Sequence, residues 1–402
     1  MNEWVKKNFS ELGYTYNGLS GKTKADFGSG APYIPYMNIF SNEKVNVDAF
    51  EYVCVGNNER QNAVKVGDAL FTTSSETPEE VGMSSVLTKD AGAVYLNSFC
   101  FGLRFYKPSE FIPEFLAYAL RSFRIRHQMF IAAQGSTRHN LSKENFNKMT
   151  LFYPTSLDEQ RHIADILTSA DEAITASRTL VEKYTAIKHG LMGDLLDKGK
   201  HVKISSFATI VGGSTPNTND SQYWDGSNVW ITPTDLSAIK SIFIDTSQRR
   251  VTDAGVKKAT GTLIPKNTVI ISCRAPVGYC AVVTTPFAFN QGCKAIIGKG
   301  FNSLYLYYQL SRVKDALERV SSGTTFLELP KKELERFEVT LPTLEEQCRI
   351  ANILTAADTR LTIERNHLQK LENIKRGLMD DLLTNKVRTD SILHKHTGRQ
   401  CV

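Results

Sequence analysis

The chain of 402 residues is 41% hydrophobic and 22% charged, which supplies apolar material for more than one core and excludes wholesale disorder. No apolar run approaches the roughly 18 residues of a membrane span and no signal-type segment opens the chain, so a cytoplasmic protein is expected. The seven cysteines show neither C-x-x-C pairs nor histidine partners at zinc-finger spacing, which argues against a disulfide framework and a zinc site; the net charge of +6 is modest, so its distribution matters more than its size.

In chain order, residues 1–153 read as a mixed α/β globule, with a helical stretch "PEFLAYALRSFRIRH" at 113–127. Its 121–127 segment, "RSFRIRH", suits a solvated helix face better than a nucleic-acid contact. A proline and a threonine then precede "DEQRHIADILTSADEAI" at 158–174, whose acidic first turn suits the positive end of a helix dipole. Residues 154–197 are therefore a long helix. Residues 198–341 form a second α/β globule, with strand-like runs at 269–272, 281–285 and 294–298 and a helical stretch at 302–320. Residues 342–388 form another long helix, and 389–402 a tail expected to be disordered.

The second long helix repeats the first. Aligning Gln160 with Gln347 gives 19 identities over 37 positions, and the similarity reaches upstream, where "QGSTRHNLSKENFNKMTLFYP" at 134–154 matches "SGTTFLELPKKELERFEVTLP" at 322–342. Further upstream only echoes remain, such as "LFTTSSETPEEVG" beside "IISCRAPVG". Two copies do not make a solenoid, so the pattern is a duplication.

Apolar positions in both helices step by four and three. They run Ile163, Leu167, Ala170, Ile174, Val181, Tyr184, Leu191 and Leu195 in one helix, and Ile350, Leu354, Ala357, Leu361, Leu368, Leu371, Leu378 and Leu382 in the other. This is a coiled-coil seam, interrupted at matching places by Ser177 and Glu364 and by Lys188 and Lys375. A rod of about 40 residues spans about 60 Å, too long to hide within one globule. The fold expected is mixed α/β: two globules separated by two long antiparallel coiled-coil helices, related by a pseudo-two-fold duplication.

No Walker loop, dinucleotide fingerprint, adenine-methylating motif, H-E-x-x-H or nucleophile elbow occurs, so the chain is read as non-catalytic. A dispersed active site remains a minor alternative. Residues 1–150 carry 16 basic and 15 acidic side chains, 151–197 carry 4 and 8, 198–340 carry 18 and 11, and 341–402 carry 10 and 8. The second globule is the basic one. Candidate DNA contacts are Gln134, Ser136, Thr137, Arg138, His139 and Asn140 in the first region, and Thr324 and Thr325 in the corresponding second loop. Ser214, Thr215, Thr232, Arg274, Asn290, Gln291 and Lys294 complete the set. Small donors approach phosphates closely, while Arg, Asn and Gln make bidentate base contacts. Ordinary turns, ion pairs and surface charge account for these residues about equally well.

These motifs, above all "DEQRHIADILTSAD…IKHGLMGDLL" with "EEQCRIANILTAAD…IKRGLMDDLL", and "GGSTPNTND…YW…WITPTDL", resemble the DNA-specificity subunit of type I restriction-modification systems over nearly the whole chain. The resemblance implies two target recognition domains reading a split site on double-stranded DNA. It implies helical spacers docking two modification subunits, and restriction subunits as further partners. S-adenosylmethionine, ATP and Mg would sit on those partners, with no cofactor on this chain. A coiled-coil scaffold that never touches DNA is the rival reading.

Overall fold

Long helices form where the sequence repeats itself. The computed structural model describes residues 3–56, 58–321 and 328–389, and it carries two 40-residue helices, Leu157–Leu196 and Leu344–Leu383. Each has two acidic residues in its first turn, Asp158 and Glu159 or Glu345 and Glu346, where free N–H groups favour negative charge. By compactness the chain divides into two units, Met1–Ser177 with His367–Val402, and Arg178–Asn366. Each unit thus contains one globule and a part of both long helices.

The first unit has a four-stranded antiparallel sheet in the order Gly13–Asn17, Cys100–Phe105, Ala69–Thr72, Ser84–Val86. A second sheet pairs Phe27–Ile34 in parallel with Val94–Leu96, and a two-stranded ribbon joins Trp4–Asn8 to Thr150–Pro154. The second unit repeats this order with one strand added. Ala208–Gly212, Cys293–Gly298, Thr268–Ser272, Cys280–Val283 and the additional Phe243–Ile244 form the main sheet, Trp224–Ile231 runs parallel to Phe287–Phe289, and Lys200–Lys203 pairs with Glu338–Leu341. The duplication therefore covers the globules as well, where the sequence retains only echoes.

Both expected globule helices are broken. The stretch at 113–127 becomes Pro113–Ala119 and Phe123–Ala132, and that at 302–320 becomes Ser303–Arg312 and Lys314–Arg319. In the first unit the break turns Arg121 inward, where its guanidinium donates to the carbonyls of Ile39, Phe40, Asn42 and Ser84. Arg126 likewise donates to Glu79, Val81 and Gly82, and burial together with the nearby Arg121 charge lowers its pKa to about 10. These arginines are structural ties, so the expectation of a solvated face is corrected.

Within each unit the two long helices pack antiparallel. Ile163 and Leu167, near the start of one, share a core with Leu382 and Leu383 at the end of the other, and Leu195 and Leu196 share a core with Ile350 and Leu354. None of the sixteen seam positions is exposed: Ile163, Leu167, Ile174, Leu195, Ile350, Leu354, Leu361 and Leu382 are buried and the rest half-buried. The lysine interruptions of the seam have a purpose. Lys375 on the second helix lies 2.6 Å from Asp171 on the first, and the hydroxyl of Tyr118, from the globule, donates to the same carboxylate at 2.7 Å. In the second unit Lys188 lies 2.5 Å from Asp358, which accepts from Tyr308 at 2.9 Å.

The repeated glutamine has an equivalent duty in each copy. Buried Gln160 accepts from the N–H of Ile112 and donates to the carbonyls of Glu110 and Pro154; buried Gln347 accepts from the N–H of Asn302 and donates to Pro342. Each fastens a long helix to the start of a globule helix. Thr389, assigned to the tail by sequence, is buried and donates through its hydroxyl and N–H to Glu159. Residues 390–402 lie outside the described residues.

Leucine in place of Gln160 leaves an N–H and two carbonyls buried without partners. Gln160→Leu should cost about 3 kcal/mol in urea unfolding, and Gln347→Leu a comparable amount. Around Lys375, burial pulls the ammonium down, but Asp171 and Glu43 outweigh it and its pKa is raised; burial pushes Glu43 up, but Lys375 holds it below its ordinary value. The raised lysine stabilises fully below its unfolded pKa of about 10.4 and loses that contribution as pH rises through the folded value. The depressed glutamate stabilises above its unfolded pKa of about 4.3 and loses that contribution as pH falls through the folded value. Urea midpoints of the wild type should thus hold between roughly pH 5 and 10 and fall outside that window, and Lys375→Met should flatten both limbs.

Candidate nucleic-acid interface

Two parallel strands end together in each unit. In the second, Trp224–Ile231 and Phe287–Phe289 stop side by side, and the N–H of Asn290 donates to the carbonyl of Ile231 at 3.1 Å. In the first, Phe27–Ile34 and Val94–Leu96 do the same, and Asn97 donates to Ile34 at 3.1 Å. Each asparagine also closes its own turn, Asn290 accepting from Gly292 and Asn97 from Phe99. A short helix follows the longer strand in both units, Pro233–Ala238 and Tyr36–Ser41.

Beyond these strand ends the second unit has a cleft of about 410 Å³ lined by Thr232, Gln248, Arg249, Arg274, Asn290 and Gln291, with Asp235 in its wall. Four residues expected from sequence thus converge from three distant loops. The loop carrying Ser214 and Thr215 comes alongside because Gly213 packs against the backbone: a Cβ there would lie 2.2 Å from the carbonyl oxygen of Phe289. Thr215 donates to the side-chain oxygen of Gln291, and the hydroxyl of Ser214 donates to the carbonyls of Lys258 and Ala259.

Several of the expected DNA contacts have structural duties. Thr232 caps its helix, accepting from the N–H of Asp235 and donating to that residue's carboxylate. Arg274 is exposed and lies 3.0 Å from Glu328 in an ion pair. Lys294 is buried, with its ammonium donating to the carbonyl of Leu329 at 2.9 Å, so it holds the neighbouring strap in place and does not face the cleft. Thr324 and Thr325 lie outside the described residues.

In the first unit, Gln134–Asn140 forms a tight hairpin laid on Ser74–Ser75. Gly135 is required at its turn, with φ at +129° and the carbonyl oxygen of Arg138 only 2.1 Å from where a Cβ would stand. Gln134, Ser136, Thr137, Arg138 and Asn140 are exposed and His139 is half-buried, but of these only Arg138 lines the adjoining cleft of about 230 Å³, with Tyr36, Met37, Glu76 and Glu80. This cleft carries less positive charge than its counterpart, because it sets Arg138 against Glu76 and Glu80 where the other sets Arg249 and Arg274 against Asp235.

Sequence reading missed Arg249, Gln248, Tyr36 and Met37. The signal available for the last two was the match of "YIP" at 33–35 to "WIT" at 230–232, in which Pro35 takes the cap position of Thr232. Nothing local marks Arg249, because the bond from the backbone N–H of Gln248 to the carboxylate of buried Asp235 places it.

The model of the type I restriction modification DNA specificity domain matches residues 1–183 and 197–373, and the chain belongs to that family. The putative type I restriction enzyme MjaX specificity subunit of Methanocaldococcus jannaschii is 25% identical, with 92% of this chain and 90% of that relative aligned. The MjaIX specificity subunit of the same organism is 37% identical, but over 43% of this chain and only 40% of its own length. Among solved structures, the crystal structure of a type I restriction-modification S subunit from M. genitalium matches with a TM-score of 0.58 and 15% identity, covering 95% of this chain and 96% of that one. The fold is therefore that of the specificity subunits. The chain is a DNA-recognising, non-catalytic subunit, and the scaffold reading is set aside. Among the described residues, no helix is long and apolar enough to cross a membrane.

Lys294→Ala, which strands the Leu329 carbonyl, should lower stability by about 2 kcal/mol in urea unfolding and leave base preference intact at protein concentrations where the fold is retained. A changed base preference with unchanged stability would restore Lys294 to the cleft.

Proposed function

We propose that each unit reads one half of a bipartite DNA target, and that the paired long helices fix the spacing at which the two halves are read. The observation that carries this reading is the recurrence of a cleft at an equivalent place in both units, bounded by Pro233, Thr234, Arg274 and Ala275 in one and by Tyr36, Met37, Ser74 and Ser75 in the other, and so lined by different side chains. One frame with two linings suits two different half-sites. Two modification subunits dock on the helices and methylate adenine with S-adenosylmethionine; restriction subunits add ATP- and Mg-dependent cleavage. This chain supplies recognition and spacing, and the partners hold the cofactors and the reacting groups.

Exchanging residues 198–341 for the equivalent region of a related specificity subunit should change one half-site and leave the other, read by sequencing methylated adenines. Change in both halves would refute independent reading. Four residues inserted in one long helix lengthen it by about 6 Å, close to the rise of two base pairs at about 3.4 Å each. Retention of both half-sites with an unaltered gap would refute the spacing role.

A further inference from the structure

We infer that Arg249 reads guanine in the half-site of the second unit, an inference that rests on the reading of that cleft as a DNA interface. The guanidinium carbon of Arg249 lies 3.6 Å from the ring centroid of Trp224. Trp224 is itself fixed: it is buried, it donates through its indole N–H to the carbonyl of Asn217, and it meets Trp230 edge-on at 4.8 Å. A flat cation held on a rigid aromatic face has already lost much of the freedom that binding would remove.

Its neighbours in the cleft are otherwise engaged. Arg274 is paired with Glu328, Asn290 uses its side-chain oxygen to close the turn at Gly292, and the side-chain oxygen of Gln291 accepts from Thr215. An amide oxygen that already accepts one bond keeps a second lone pair but has its orientation set by the turn or loop it closes, so these amides are less free than Arg249 to align two bonds with a base. Among the described residues, no hydrogen bond or ion pair engages the Arg249 guanidinium, so its donors remain available on the cleft side. Two parallel N–H groups match the O6 and N7 acceptors of guanine in the major groove. A phosphate is the poorer fit, because the carboxylate of Asp235 lines the same cleft.

The test uses the chain assembled with its modification subunits, with methyl transfer measured on DNA substrates carrying each base in turn at every position of the target. The wild type should require guanine at one position of the half-site that moves with residues 198–341. Arg249→Lys keeps the charge but loses the planar fork, and should lower discrimination at that position roughly 5- to 150-fold with little change in salt dependence. Arg249→Gln, which keeps a planar amide, should shift the preference there towards adenine. Thermal unfolding identifies any variant that fails to fold, in which case the remaining one decides. Wild-type discrimination in the folded variants, equal weakening of all sequences with a shallower salt slope, or a change confined to the other half-site would each overturn the assignment. A wild-type complex with no split target would instead overturn the proposed function beneath it.

Discussion

One carboxylate shared by three elements holds each unit together. Asp171 takes Lys375 from the opposing helix and the hydroxyl of Tyr118 from the globule, and Asp358 takes Lys188 and Tyr308 in the same arrangement. An apolar seam favours burial but tolerates sliding, because one leucine fits nearly as well as the next against a row of leucines. A half-buried ion pair does not tolerate it, since a shift of one turn would leave a lysine and an aspartate without partners in a poorly solvated place. The pairs therefore fix the register of the helices, and the tyrosines fix the globule to that register.

Everything that varies is built on this fixed frame. Gln160 and Gln347 fasten each long helix to the first turn of a globule helix, and the parallel strand ends then present a cleft at equivalent places in both units. The backbone bonds at the strand ends, through Asn97 and Asn290, do not depend on which side chains surround them. Tyr36, Met37 and Arg138 can thus occupy one cleft and Arg249, Arg274 and Gln291 the other without disturbing the frame. Separating the frame from the lining lets a duplicated fold carry two different clefts.

The long helices were fully legible in the sequence, because a repeated heptad stripe and acidic first turns are local signals that no tertiary contact needs to supply. The lysines at 188 and 375 showed up as interruptions, but their meaning depended on carboxylates 170 and 204 positions away. Arginines were the least legible residues. Arg121 and Arg126 looked like a solvated face and instead satisfy backbone carbonyls across the globule, while Arg249 carried no motif at all. Lys294 failed for the same reason: a strand position with buried neighbours draws an ammonium inward when a carbonyl waits there. Composition shows that a charge is present, but only the fold decides whether water, a carbonyl or a ligand receives it.

The most direct measurement is a double-mutant cycle across the seam, combining Lys188→Met with Asp358→Leu and following urea unfolding. A register-fixing pair predicts a coupling energy of about 1 to 2 kcal/mol, matched by Lys375→Met with Asp171→Leu. A coupling below about 0.3 kcal/mol in both cycles would mean the charges merely sit beside each other, and the shared carboxylate could not be what holds the paired helices of each unit in register.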